Sequence, residues 1–181
     1  MKSFLITPIE RMLQGLAYWL SYRDVVSRNE VVELVAVDKA FEIIQMHLPS
    51  GYKVVRELGY NSIDVSFGNI RADLAIVNSQ NKCECLIEFK LSDNTAGGYK
   101  KDVNKLHPVK EKYPDIDCYV VILYRKSCQL GEPSELVMPN GKAQRKKQML
   151  NNARITVRRV YTSLRSQTAT RMKRVICIEL V

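Results

Sequence analysis

Three observations in the 181-residue chain predict a single α/β (α+β) domain on a central mixed β-sheet flanked by helices. First, two apolar runs, Ile70–Val77 and Cys83–Leu91, are joined by a short polar turn, the pattern of neighbouring strands. Second, a helix-patterned segment, Tyr99–Lys112, separates the second run from a third, Cys118–Tyr124. That order is a βαβ crossover and calls for parallel strands. Third, the run CYVVILY is apolar throughout, as a central strand covered on both faces must be.

The remaining elements follow from local pattern. Thr7-Pro8 opens a helix with proline at its first turn, and Ile9, Leu13, Leu16 and Leu20 follow at helical spacing to about Tyr22. Ser27-Arg28-Asn29-Glu30 fits a capping box opening a second helix, with Val31, Leu34, Val35, Val37, Phe41, Ile44 and Leu48 as its apolar stripe. At about 100° per residue, Glu30 projects along the middle of that stripe, Glu33 at its edge and Glu42 farther round. Pro49-Ser50-Gly51 stops this helix. Tyr52–Leu58 reads as a strand, Gly59–Ser62 as a turn and Ile63–Phe67 as a further short strand. In the helix at 99–112, Val103, Leu106 and Val109 are expected inside and Lys100, Lys101, Lys105 and Lys112 outside, with Pro108 an obstacle. Beyond a loop over 126–141, the pattern predicts a basic helix over Gly141–Asn151. Ile155–Leu164 fits helix and strand alike, and Val175–Val181 is a closing strand.

Composition narrows the class. With 46% apolar and 26% charged residues the chain matches a folded globular protein, and no run is long enough to span a bilayer. The segment MKSFLITPIERMLQG lacks the apolar centre and cleavage site of a secretory signal, so a cytoplasmic address is expected. Cys83, Cys85, Cys118, Cys128 and Cys177 form no CxxC pair, and His47 and His107 lie far apart. Buried, reduced thiols are therefore expected rather than a zinc site.

The net charge of +9 is concentrated at one end. Residues 1–135 carry 17 basic and 18 acidic residues, whereas residues 136–181 carry 11 basic residues and one acid, Glu179. Such a basic region suits a polyanion, with Lys142, Arg145, Lys146, Lys147, Arg154, Arg158 and Arg159 as candidate backbone contacts. An RNA-binding module has only this region in its favour, because no aromatic single-strand platform accompanies it.

The chemistry-bearing residues lie in the two central runs. Charges inside β-like runs are costly unless they are paired or bind something. Asp73 lies in the first run, and Glu88 and Lys90 in the second, where a period of two puts both on one face. Two carboxylates that converge repel each other unless a cation lies between them, and oxygen donors suit Mg²⁺ or Mn²⁺. With a lysine beside them, they form equipment for hydrolysing a phosphodiester. A single exposed Glu-Lys pair on a strand has the simpler role of a cross-strand ion pair.

Asp73 followed by Glu88-Phe89-Lys90 resembles the PD-(D/E)xK nucleases of the restriction-endonuclease-like superfamily. The resemblance covers about residues 28–125, leaving the first helix and the basic extension 136–181 outside. It implies that Asp73, Glu88 and the helix acid Glu30 bind metal and that Lys90 is the catalytic lysine. It further implies a metal-dependent endonuclease acting on double-stranded or branched DNA, with a homodimer as one arrangement for cutting both strands. Ala72 stands where the motif has proline, a position that performs no chemistry. The alternative reading is a catalytically inactive nucleic-acid-binding or structural protein of the same fold.

Overall fold

The computed structural model describes residues 2–26, 33–92, 98–124, 148–150, 152–162 and 174–181. Three α-helices are present among them: α1 (Ile6–Val26), α2 (Glu33–His47) and α3 (Gly98–Lys112). Seven strands form one mixed sheet: β1 (Tyr52–Gly59), β2 (Arg71–Asn78), β3 (Cys83–Ser92), β4 (Asp117–Tyr124), β5 (Gln148–Leu150), β6 (Ala153–Thr162) and β7 (Arg174–Leu180). The spatial order is β1-β2-β3-β4-β7-β6-β5, and β3–β4 is the one parallel pair. That pair flanks the α3 crossover, as the sequence requires.

The sheet is covered on both faces, giving three layers. On one face, α1 and α2 pack Leu13, Leu16, Ala40 and Ile44 onto Leu74, Ile87, Tyr119, Val121 and Cys177. On the other, α3 packs Tyr99, Val103, Leu106 and Val109 onto Leu86, Val120, Ile122, Ile176 and Ile178. β4 sits between these layers with Cys118–Leu123 fully buried, which explains its unbroken apolar sequence. Gly51, at φ 85°, takes the left-handed conformation that lets the chain leave α2 and enter β1.

Several elements differ from the sequence pattern, each for an identifiable reason. α1 continues to Val26. Residues 63–67 are not a strand. Val65–Phe67 forms a 3₁₀ turn because the Asp64 carboxylate accepts from Ser66 N (2.9 Å), an Asx turn. α2 buries Ala36, Val37, Ala40, Ile43 and Ile44, while Leu34 and Val35 are exposed. The two helices approach closely at Gly15 of α1, where a Cβ would come within 2.5 Å of Ile43 Cδ1 of α2. This phase puts Glu33, not the edge of the stripe, on the core-facing side. The residues preceding Glu33, including the capping box and Glu30, lie outside the described residues.

The C-terminal quarter enters the same sheet. β7 pairs with β4 along its length, so the apolar run VICIEL is a central strand. The ambiguous segment at 155–164 is β6, whose Ala153, Ile155 and Val157 are buried in alternation. The basic helix expected over 141–151 is overturned at its end: Gln148–Leu150 is β5, paired with β6 and burying Leu150. Here cross-strand pairing outweighs a weak helical pattern. Cys83, Cys85, Cys118 and Cys177 are free and buried; burial pushes the Cys83 and Cys118 thiols up to about 12 and raises those of Cys85 and Cys177 as well. Cys128 lies outside the described residues. No helix among the described residues is long and apolar enough to cross a membrane.

Candidate functional site

The antiparallel ladder between β2 and β3 stops one residue short of the charges. Its last pair in that direction is Leu74↔Ile87, so continuing the register sets Asp73 opposite Glu88. The ladder does not continue. Instead, the Asp73 carboxylate accepts from the next backbone donor, Phe89 N, at 2.7 Å. A side chain thus satisfies an N–H that strand pairing leaves over. This anchors Asp73 in the gap between the two strands, beside Glu88.

Glu88 is buried to 1% exposure on the α3 side of the sheet. Two groups compensate it. Tyr60 donates its hydroxyl to Oε1 at 2.7 Å, and Lys105 of α3 places Nζ 2.8 Å from the carboxylate. Lys105 also lies over the Tyr60 ring, 5.9 Å from its centroid. Burial pushes the Glu88 pKa up to about 7; the hydrogen bonds from Lys105 and Tyr60 oppose that shift and the charge of Asp73 adds to it. Burial, then the Glu88 charge, raises the Tyr60 hydroxyl far beyond an ordinary phenol.

A third acid faces this cluster. Asp102 of α3 has a buried Oδ2 without a hydrogen-bond partner among the described residues. Burial raises its pKa, the positive charges of Lys90 and Lys105 oppose that rise, and Asp73 and Glu33 reinforce it. Asp102 is therefore within electrostatic reach of both lysines and two further carboxylates.

Lys90 follows Glu88 on β3 and is positioned from two sides. Its Nζ lies 3.5 Å from Glu33 Oε2, and that same oxygen accepts from Leu91 N at 2.7 Å. The start of α2 is thereby tied to the end of β3. The Lys90 stem runs past Gly98 at the start of α3, where a Cβ would stand in ordinary contact with Lys90 Cε at 3.4 Å. On the α2 side, Asp73 and Glu33 line a cleft of about 460 Å³ with Val37, Asp38, Arg56 and Glu57.

The predicted site residues thus fall into three groups. Asp73 lies beyond the last β2–β3 pair within electrostatic range of Glu88, and Lys90 follows on β3 with Glu33 as its ion-pair partner. Glu30, Lys142, Arg145, Lys146 and Lys147 lie outside the described residues. Of the remaining basic candidates, Arg154 is exposed on β6, while Arg158, at a bulge in the β6–β7 ladder, is half-buried and bonded to Glu179 at 3.2 Å. Arg159 belongs to β6. No group of three His, Cys, Asp or Glu side chains suited to a metal ion is present among the described residues.

The sequence pattern missed Lys105, which was expected outside α3, and did not single out Tyr60, Asp102 or the inward role of Glu33. A signal existed for Asp102. At about 100° per residue it falls inside the stripe made by Tyr99, Val103, Leu106 and Val109, on the Val109 side, with Lys105 just beyond that edge. Tyr60 carries no comparable signal, because it reaches Glu88 from a turn. No protein-family model matches the chain, and neither a curated protein nor a solved structure shows significant similarity to it.

Proposed function

We propose that this protein is a metal-dependent nuclease that hydrolyses phosphodiester bonds in DNA on a restriction-endonuclease-like core. The observation that carries this reading is the Asp73 carboxylate bonded to Phe89 N just past the end of the β2–β3 ladder, near enough to Glu88 for its charge to act there, with Lys90 two residues further on. The donor set fits a hard divalent cation: Asp73 and Glu88 offer carboxylate oxygens, and Glu30 is the third acid the family resemblance supplies. Held there, Mg²⁺ or Mn²⁺ would lower the pKa of a water and neutralise charge on the scissile phosphate.

The chain's own residues have separable roles in this scheme. Asp73 is held by Phe89 N, so its carboxylate is positioned before any ligand arrives. Lys90, steadied by Glu33, presents a positive charge to the attacked phosphate and to the water beside it. Arg154 and the basic residues of 142–147 hold flanking phosphates in a salt-sensitive way. Double-stranded or branched DNA, a cytoplasmic setting and a homodimer belong to the same proposal.

One observation favours a second reading, a nucleic-acid-binding protein without catalysis: Tyr60 and Lys105 already engage the Glu88 carboxylate. Incubating plasmid and branched DNA with Mg²⁺ or Mn²⁺ separates the two. Cleavage by the wild type, reduced at least a hundredfold in Lys90→Ala with DNA binding retained, supports the nuclease. A wild type that binds DNA and never cuts it with either ion supports the second reading.

A further inference from the structure

Lys105 stands where the nuclease reading wants another cation. Its ammonium, on the middle of α3, is 2.8 Å from a carboxylate that is otherwise buried and bonded to the Tyr60 hydroxyl at 2.7 Å. A divalent ion on Glu88 would lie at about 2.1 Å from the same carboxylate. Two positive charges cannot share that position closely without strong repulsion. An alternative partner for the ammonium exists one turn back. Asp102 is three residues earlier, a spacing that puts the two side chains side by side on a helix, and its buried Oδ2 has no hydrogen-bond partner among the described residues.

We propose that Lys105 is a built-in counter-cation of the site: it neutralises Glu88 in the metal-free protein, is displaced when a divalent cation binds, and moves to Asp102. This inference rests on the assignment of Asp73 and Glu88 as metal ligands. It makes Lys105 a positioning residue rather than a catalytic one. It also reconciles the two readings of the site, because the contact between Lys105 and Glu88 becomes the resting state of a metal centre.

Mn²⁺ binding to the full chain, read as loss of the free-ion electron paramagnetic resonance signal in the absence of DNA, tests this without reference to cleavage. Lys105→Met and Lys105→Gln remove the competing charge and are expected to bind Mn²⁺ at least tenfold more tightly than the wild type. Lys105→Arg keeps the charge and should bind as weakly as the wild type. Lys105→Gln retains a hydrogen-bond donor for Glu88, and circular dichroism identifies which variants are folded. Asp102→Asn, which removes the receiving carboxylate, should weaken binding in the wild type but not in Lys105→Met. Equal or weaker Mn²⁺ binding by folded Lys105→Gln overturns the inference and leaves the metal site standing. Equal weakening by Asp102→Asn in both backgrounds overturns the move to Asp102. Failure of all folded variants to bind Mn²⁺ at millimolar concentration overturns the metal-ligand assignment itself.

Discussion

Helix α3 carries two tyrosine–carboxylate–lysine clusters, and their contrast shows what burial does to the same chemistry. In the middle of the helix, Lys105 and Tyr60 hold Glu88. At its end, Lys112 and Tyr113 hold Asp64, with Tyr113 Oη donating at 2.7 Å. The partners are of the same kind, yet the two carboxylates shift in opposite directions. Desolvation is a minor influence at Asp64, whose side chain keeps 14% of its surface exposed, so its hydrogen bonds from Lys112, Tyr113 and Ser66 prevail and hold it well below the usual carboxylate range. Glu88 is buried and faces Asp73, so desolvation prevails and its pKa rises to about 7. The outer cluster pins a turn to the helix end. The inner one holds a carboxylate poised between two protonation states beside a second acid, an arrangement that structural pinning alone does not require.

The largest effect expected from breaking this contrast is at Lys105. Removing one partner of a buried ion pair typically costs about 3–5 kcal/mol because the other charge is left uncompensated. Lys105→Ala should approach that loss at pH 8, where Glu88 is ionised, and lose less at pH 5, where Glu88 can take up a proton. Urea unfolding at the two pH values measures the difference. Equal losses would mean that the lysine acts through packing alone.

A smaller effect is expected from the carboxylate itself. The folded-state pKa of Glu88 lies above its unfolded value, so its contribution is fully present below about pH 4.5 and is lost as pH rises through about 7. A shift of this size corresponds to about 3 kcal/mol. Glu88→Gln, which retains an acceptor for Tyr60, should flatten the stability profile across that window. An unchanged slope would place the titration elsewhere.

The smallest effect belongs to the outer cluster. The Asp64 pKa is lowered on folding, so its contribution is present above the unfolded carboxylate value and disappears as pH falls below it. Asp64→Asn should therefore lower the melting temperature slightly at pH 7 and not at all in strong acid. Because its partner Lys112 is exposed, added salt should reduce that difference, whereas Glu88 should respond little to salt.

Strand and helix periodicity carried much of this architecture into the sequence. The hairpin of β2 and β3, the α3 crossover and the buried β4 were all legible, because a run covered on one face alternates and a run covered on both does not. The pairing of Glu88 and Lys90 on one face followed from the same period. Periodicity failed where a feature depended on a distant surface. Leu34 and Val35 are as apolar as any core residue, yet α2 buries Ala36 and Ala40 and leaves those two exposed, a phase set by its packing on α1 and the sheet. Gln148–Leu150 became a strand only because β6 offers it a partner.

The sequence by itself determined which charges lie in the central strands, on which face, and how the helices and strands succeed one another, since these depend on local period and on chain connectivity. The tertiary structure alone decided where the β2–β3 ladder stops, and therefore that Asp73 bonds to Phe89 N beside Glu88. It also brought Tyr60 from a turn and Lys105 from a helix to the same carboxylate. Those contacts join residues up to 28 positions apart. No local pattern encodes such a contact, because the free energy of burying Glu88 is set by everything packed around it.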